Sequence, residues 1–388
     1  MADAPHVMML AGEASGDAHA AEVVERLREL EPAIRVSGMG SERMKAAGVE
    51  VFFDSASIAV VGIVEVLRHW GEIKQAMNIV KSRLEQQRPD LLMLVDYPEF
   101  NLKMARHAKS LGIPVLFYIS PQVWAWRPKR IRKIGASIDH MAVLFQFEEA
   151  FYRKAGIPVT FVGHPLVDKV HVEADASSER QRLGIPARAR LVGLFPGSRR
   201  SEIERLLPLL LDSAEELHRR HPDLHFLLPV AETLDREAIE ATCRSRGLPL
   251  TLTSDRLYDV INACDAIASC SGTVTLEIAL LETPLCIVYR MSWLSWQIMS
   301  RLITIDHIGL ANIVGANGAV RELLQDQATP VHVADEVERL LENAGYRERV
   351  IEGLRKVRRN LGEGDGAGRM AQLVLRMVGK QADGAQQA

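Results

Sequence analysis

The chain has 388 residues, 47% hydrophobic and 25% charged, which excludes a disordered or fibrous protein and leaves room for two domains of ordinary size. A formal net charge of −3 provides no basic field to hold nucleic acid, so no nucleic-acid partner is expected. The four cysteines, Cys243, Cys264, Cys270 and Cys286, show neither C-x-x-C nor zinc-ligand spacing, which predicts reduced, buried thiols in a cytoplasmic protein.

The first apolar run, HVMML (6–10), reads as a strand and is too short for a secretory leader. It enters LAGEASGDAHA (10–20), a turn with carboxylates at Glu13 and Asp17 and a hydroxyl at Ser15. AHAAEVVERLREL (18–30) sets Val23, Val24, Leu27 and Leu30 on one helical face, and IRVSGMG (34–40) returns to strand. IAVVGIVEVLRHWGEI (58–73) is apolar with few breaks. It reads as a buried helix, or as an exposed patch for acyl chains or a bilayer built from Val60, Val61, Ile63, Val64, Val66, Leu67 and Trp70. No stretch approaches the roughly 18 apolar residues of a membrane span.

LLMLV (91–95) is a continuous apolar strand of the kind a sheet covered on both faces demands. Asp96 ends it, and Glu99 follows in LVDYPEFNL. Asp96 can cap the next helix before Pro98, and Glu99 can complement its dipole; either carboxylate can instead take the proton of an attacking alcohol. NLKMARHAKSLG (101–112) is a helix closed by Gly112, and IPVLFYIS (113–120) the next strand. SPQVWAWRPKRIRKIG (120–135) places Trp124 and Trp126 beside Arg127, Lys129, Arg130, Arg132 and Lys133. That is a solvated basic face, or a seat for an anionic, lipid-bearing ligand. HMAVLF (140–145) and VTFVGH (159–164) are further strands; His19 and His164 are lone histidines and weak candidates.

KVHVEADASSERQRLGIPARAR (169–190) reads as linker. Strand LVGLF (191–195) then meets FPGSRRSEI, and SEIERLLPLLLDSAEELHRRH (201–221) is helical, with Ser201 and Glu204 in capping-box spacing. Gly197, Ser198 and Arg199 at that helix N-terminus suit a diphosphate, without the Walker lysine. HFLLPV (225–230), AIAS (266–269) and LCIVYR (285–290) are strands. SCSGTVTLEIA (269–279) repeats the strand-to-helix turn with Ser271 and Thr273. Glu277 lies on the same helical face as Thr273, where it can accept two ribose hydroxyls or simply support the helix start. MSWLSWQIMSRL (291–302) suits core or the interface of a homodimer. Strand–helix alternation predicts parallel sheets of Rossmann type, with ligands at the carboxyl ends of the strands. The expected divisions are 1–168, a linker at 169–189, 190–345, and terminal helices with a polar tail at 346–388.

AGEASGD, VDYPEFN, SPQVWAWRPKR, FVGHPLVD, PGSRRSEI, SGTVTLE and GLANI follow one another along most of the chain. As an ordered set they resemble the lipid-A-disaccharide synthase family, inverting glycosyltransferases of the GT-B type. The resemblance implies an α/β fold of two Rossmann-like domains whose parallel sheets face across a cleft. It implies UDP-2,3-diacylglucosamine as donor and 2,3-diacylglucosamine 1-phosphate as acceptor, giving a β-1,6-linked disaccharide 1-phosphate and UDP. No metal and no cofactor are expected, and the enzyme would work peripherally on the cytoplasmic face of the inner membrane.

By the same resemblance Arg199 binds the diphosphate and Glu277 the nucleotide, with Ser198, Ser271 and Thr273 as further substrate-binding candidates. Asn312 falls near the donor, and Glu13, Ser15 and Asp17 on the acceptor-side loop. Asp96 and Glu99 are the catalytic candidates, and the 60–70 stretch would meet acyl chains or the membrane. Glu99 stands where many members carry aspartate, GLANIV lacks the usual proline before its asparagine, and GANGAVRELLQ (315–325) departs from the common pattern. The rivals are a UDP-sugar 2-epimerase on the same fold and a non-catalytic nucleotide-binding module at the membrane surface.

Overall fold

The computed structural model describes residues 4–58, 70–126, 130–291, 296–297 and 306–379. Val60, Val61, Ile63, Val64, Val66 and Leu67 lie outside these, as do Arg127, Lys129 and most of 291–302. The chain forms two units: residues 1–165 with 363–388, and residues 166–362.

The first unit is built on seven strands: β1 (His6–Ala11), β2 (Arg35–Gly40), β3 (Glu50–Asp54), β4 (Leu91–Val95), β5 (Val115–Tyr118), β6 (His140–Val143) and β7 (Val159–Phe161). All pair in parallel, in the order β3-β2-β1-β4-β5-β6-β7. Every residue of β1 and β4 is buried, because parallel connections put helices on both faces of the sheet. Those helices include α1 (Ala14–Leu30), α2 (Trp70–Gln87), α3 (Pro98–Ser110) and α4 (Gln146–Lys154). Ile73, Ala76, Val80 and Leu84, one stripe of α2, join the core formed by Met8, Leu10, Leu92 and Leu94.

The second unit repeats the plan with β8 (Arg190–Phe195), β9 (Leu224–Pro229), β10 (Leu250–Thr253), β11 (Ala266–Cys270), β12 (Leu285–Tyr289) and β13 (Glu322–Leu324). These also pair in parallel, in the order β10-β9-β8-β11-β12-β13. Helices α5 (Arg200–Arg220), α6 (Leu257–Ala263), α7 (Val274–Leu280), α8 (Pro330–Glu342) and α9 (Ala344–Leu361) surround the sheet. All four cysteines are buried and free. Among the described residues no helix is long and apolar enough to cross a membrane.

Read from sequence, 346–388 stood apart as one terminal segment. The structure divides it. Helix α9 packs on α7 in the second unit, whereas α10 (Gly366–Met377) returns to α1 in the first. There the Arg369 guanidinium donates to the Val162 carbonyl at 2.8 Å. The apolar stripe of α10, with Met370, Ala371, Leu373 and Val374 buried, requires such a partner and cannot fray as a tail.

Helix α3 begins at Pro98, three residues earlier than its apolar period suggests, and Tyr97 takes the N-cap position expected of Asp96. Asn101 in its first turn is fully buried and donates to the carbonyls of Asp96 at 2.6 Å and Val95 at 3.3 Å. It thereby fixes the end of β4. Asn101→Ala should lower unfolding stability by about 1–3 kcal/mol, the cost of orphaning buried carbonyls. A urea midpoint equal to that of the unmutated protein would show that these bonds hold nothing.

Candidate functional site

Both sheets share one topological feature. Strand order reverses between β1 and β4, and again between β8 and β11. At such a point the connections after the two adjacent strands leave toward opposite faces and open a crevice at the carboxyl ends. Apart from Asn312 and the 60–70 stretch, the candidate residues fall on these four connections or in the first turns of the helices they enter.

After β8 the chain turns through Pro196, Gly197, Ser198 and Arg199 into α5. Gly197 has φ +115, and a Cβ there would stand 2.3 Å from a Glu202 carboxylate oxygen, so the turn requires glycine. After β11, Ser271, Gly272 and Thr273 lead into α7. The two connections line one cavity of about 390 Å³, and Ser198, Arg199, Ser271, Thr273 and Glu277 are all on its wall. Pro229, Val230, Ser254, Asp255 and Leu257 form another part of that wall.

Glu277 is largely buried, and that burial holds its carboxyl above the usual carboxylate range. The Tyr258 hydroxyl donates to its Oε1 at 3.4 Å. Arg199 keeps 79% of its side chain exposed and pairs with Glu202 at 2.9 Å. Such an arrangement offers a forked cation and a helix N-terminus for phosphate, and a carboxylate for hydroxyls.

The sequence pairs Ser201 with Glu204 as the helix cap. In the structure α5 starts one residue earlier, Arg199 occupies the N-cap, and Glu202 bonds the leading amides. Glu204 pairs instead with Arg200. Glu202 and Tyr258 were not singled out in the sequence. The first carries a signal, since it stands at the third helical position; the second carries none, because its partner lies 19 residues away.

The first unit presents Glu13 and Asp96 after β1 and β4. Burial raises the carboxyl pKa of each; the Asp96 charge raises Glu13 further, while the Tyr97 amide and His19 partly counter the shift at Asp96. Asp96 and Tyr97 both have left-handed backbones, φ 48 and 46. Two successive non-glycine residues there store strain of the kind found at functional sites. Gly12 makes it feasible: a Cβ at Gly12 would lie 2.2 Å from the Tyr97 ring. Ser15 is exposed in the first turn of α1. Glu99 is also exposed, and Arg130 donates to it at 2.6 Å.

Two candidates are turned inward. Asp17 is 3% exposed, and its carboxylate accepts backbone amides of Ser41 at 2.6 Å and Arg43 at 3.0 Å. It ties the connection after β2 to α1. Asn312 is 1% exposed and does not line the cavity. Its amide donates to Val320 O and Glu322 Oε1 at 2.7 Å each, and its oxygen accepts from Gly318 and Val320. The atypical 311–322 segment is thus held by the residue expected to touch the donor. Trp70 is 52% exposed, with the Lys103 ammonium 5.5 Å from its ring centre.

Trp124 donates its indole N–H to Glu148 at 3.0 Å, and Ser120 bonds the Tyr152 hydroxyl at 2.8 Å. Burial pushes the Glu148 carboxyl up to about 7. This buried group anchors the start of the tryptophan- and arginine-rich segment.

Residues 7–374 match the family model described as lipid-A-disaccharide synthetase. The lipid-A-disaccharide synthase of Geobacter sulfurreducens is 48% identical over 375 residues, covering 97% of this chain and 98% of that one. Among solved structures, UDP-GlcNAc 2-epimerase from Neisseria meningitidis aligns with TM-score 0.60 at 13% identity, over 96% of this chain and 100% of that one. The calicheamicin glycosyltransferase CalG4 aligns with TM-score 0.60 at 16% identity, over 97% and 98%. At such identities the structural likeness speaks for the fold alone.

Glu148 gives a pH signature. Between its free value of 4.5 and about 7 the folded chain holds a proton that the unfolded chain releases. Stability from this group is therefore greatest at the acid end and falls as pH rises through that window. Thermal melts at about pH 5 and about pH 8 should show a smaller loss for Glu148→Gln than for the unmutated protein. An identical loss would show that Glu148 titrates normally.

Proposed function

The chain belongs to the lipid-A-disaccharide synthase family of lipid A biosynthesis, glycosyltransferases by name, and from that membership we propose its reaction in detail. It joins UDP-2,3-diacylglucosamine to 2,3-diacylglucosamine 1-phosphate, releasing UDP. One observation carries the donor half of this reading: residues from the two connections at the second switch point line a single cavity.

Arg199 and the α5 N-terminus hold the diphosphate, and Ser198, Ser271 and Thr273 add polar contacts. Glu277, kept in place by Tyr258, accepts the ribose hydroxyls. The acceptor's 6-hydroxyl oxygen attacks donor C1 from the face opposite UDP. The new C1–O bond forms as the bond to the phosphate oxygen breaks, the electron pair leaves on UDP, and the anomeric centre inverts. The fixed positive groups around the phosphate stabilise that departing charge, as a metal ion would elsewhere.

The hydroxyl proton goes to a carboxylate of the first unit. Asp96 has the surroundings of a base: partial burial, a raised pKa and a strained backbone that fixes its direction. Glu99, exposed and paired with Arg130, suits binding of the acceptor sugar. Glu13 and Ser15 lie on the same acceptor side. We assign the enzyme to the inner-membrane surface, with the exposed Trp70 as a candidate lipid contact.

UDP release from the donor should depend on the acceptor and survive EDTA. Asp96→Asn should lower kcat by about a hundred- to ten-thousand-fold, with Glu99→Gln losing less. The acid limb of kcat/KM should lie above the ordinary aspartate pKa, because the base must be ionised. If Glu99→Gln lost more than Asp96→Asn, the base would be Glu99. Loss of turnover in EDTA, restored by a divalent cation, would overturn the metal-independent step.

A further inference from the structure

Glu202 occupies the donors that the proposed site would offer a phosphate. Its Oε2 accepts the backbone amides of Ser198 at 3.0 Å and Arg199 at 3.1 Å. Its Oε1 accepts the Arg199 guanidinium at 2.9 Å. Two amides and a forked cation are the set of donors that a phosphate group would use. Glu202 itself lies on the cavity wall. The glycine at 197 has no room for a side chain because this carboxylate folds back over it.

We propose that Glu202 is an internal counter-anion of the donor site. In the empty enzyme its carboxylate substitutes for a phosphate, keeping the amides and Arg199 in place. The donor diphosphate displaces it, and its return competes with bound UDP and helps the product leave. This inference rests on the donor-site assignment above. It makes Glu202 a positioning residue that sets phosphate affinity, beyond its service as a helix cap.

A cap and a counter-anion differ in what their removal does. Removing a cap loosens the helix start and weakens, or leaves unchanged, the binding of every ligand there. Removing a competing charge strengthens binding of ligands that carry phosphate and no others. Glu202→Gln keeps the side-chain length and one acceptor oxygen while removing the charge, so the cap is partly retained.

The test is calorimetric titration of the full chain with UDP and with uridine, for the unmutated protein and Glu202→Gln, with Glu277→Ala as the control for the nucleotide site. We expect Glu202→Gln to bind UDP about ten-fold tighter, the scale of one charge-assisted hydrogen bond no longer contested. Uridine affinity should stay within about two-fold, and the donor KM should fall as the Kd for UDP does. Equal or weaker UDP binding by folded Glu202→Gln, or an equal gain for uridine, would overturn the proposal while leaving the donor site in place. If neither protein bound UDP, or if Glu277→Ala bound it unchanged, the donor-site assignment would fall and take this inference with it.

Discussion

Everything at the candidate sites follows from one constraint on parallel sheets. Each connection must return over a face, and where the strand order reverses two neighbouring connections part. Here that happens twice, between β1 and β4 and between β8 and β11. Backbone amides and side chains then converge at the carboxyl ends without any dedicated element. The buried strands beneath can be almost featureless; β1, β4 and β11 are buried along their whole length and contribute rigidity.

The two units carry different groups at the same kind of opening. In the second, a cation, a helix terminus and a carboxylate line one cavity, an arrangement suited to a nucleotide diphosphate. In the first, burial and then the Asp96 charge raise the pKa of Glu13, and Asp96 itself stands on a left-handed backbone. The first suits taking up a proton, the second suits stabilising negative charge that leaves. A group transfer between two sugars needs both.

Strands fully covered by helices were legible in the sequence: LLMLV, read as 91–95, has those bounds in the structure. The strands that escaped are β3, β10 and β13, all at sheet edges. An edge strand is half exposed and carries mixed residues, so EVFFD, LTLT and ELL show no continuous apolar run. The candidate site was legible where chemistry and position coincide. Ser198, Arg199, Ser271, Thr273 and Glu277, read from turns after strands, line one cavity in the structure. Asp17 and Asn312 are buried and hydrogen-bonded within the fold for a common reason. A short polar side chain beside a turn caps local amides as readily as it binds a ligand, and only burial and hydrogen-bond partners separate the two. Tyr258 acts through a partner that the fold supplies, which no local spacing records, whereas Glu202 bonds its own helix start and is marked by its third helical position.

The central claim is that the nucleotide binds at the second switch point. Amide hydrogen exchange of the full chain, with and without UDP, tests it most directly. The account predicts slowed exchange in 196–203 and 271–277, with the connections after β1 and β4 unchanged. Protection confined to the first unit, around Glu13 and Asp96, would contradict it.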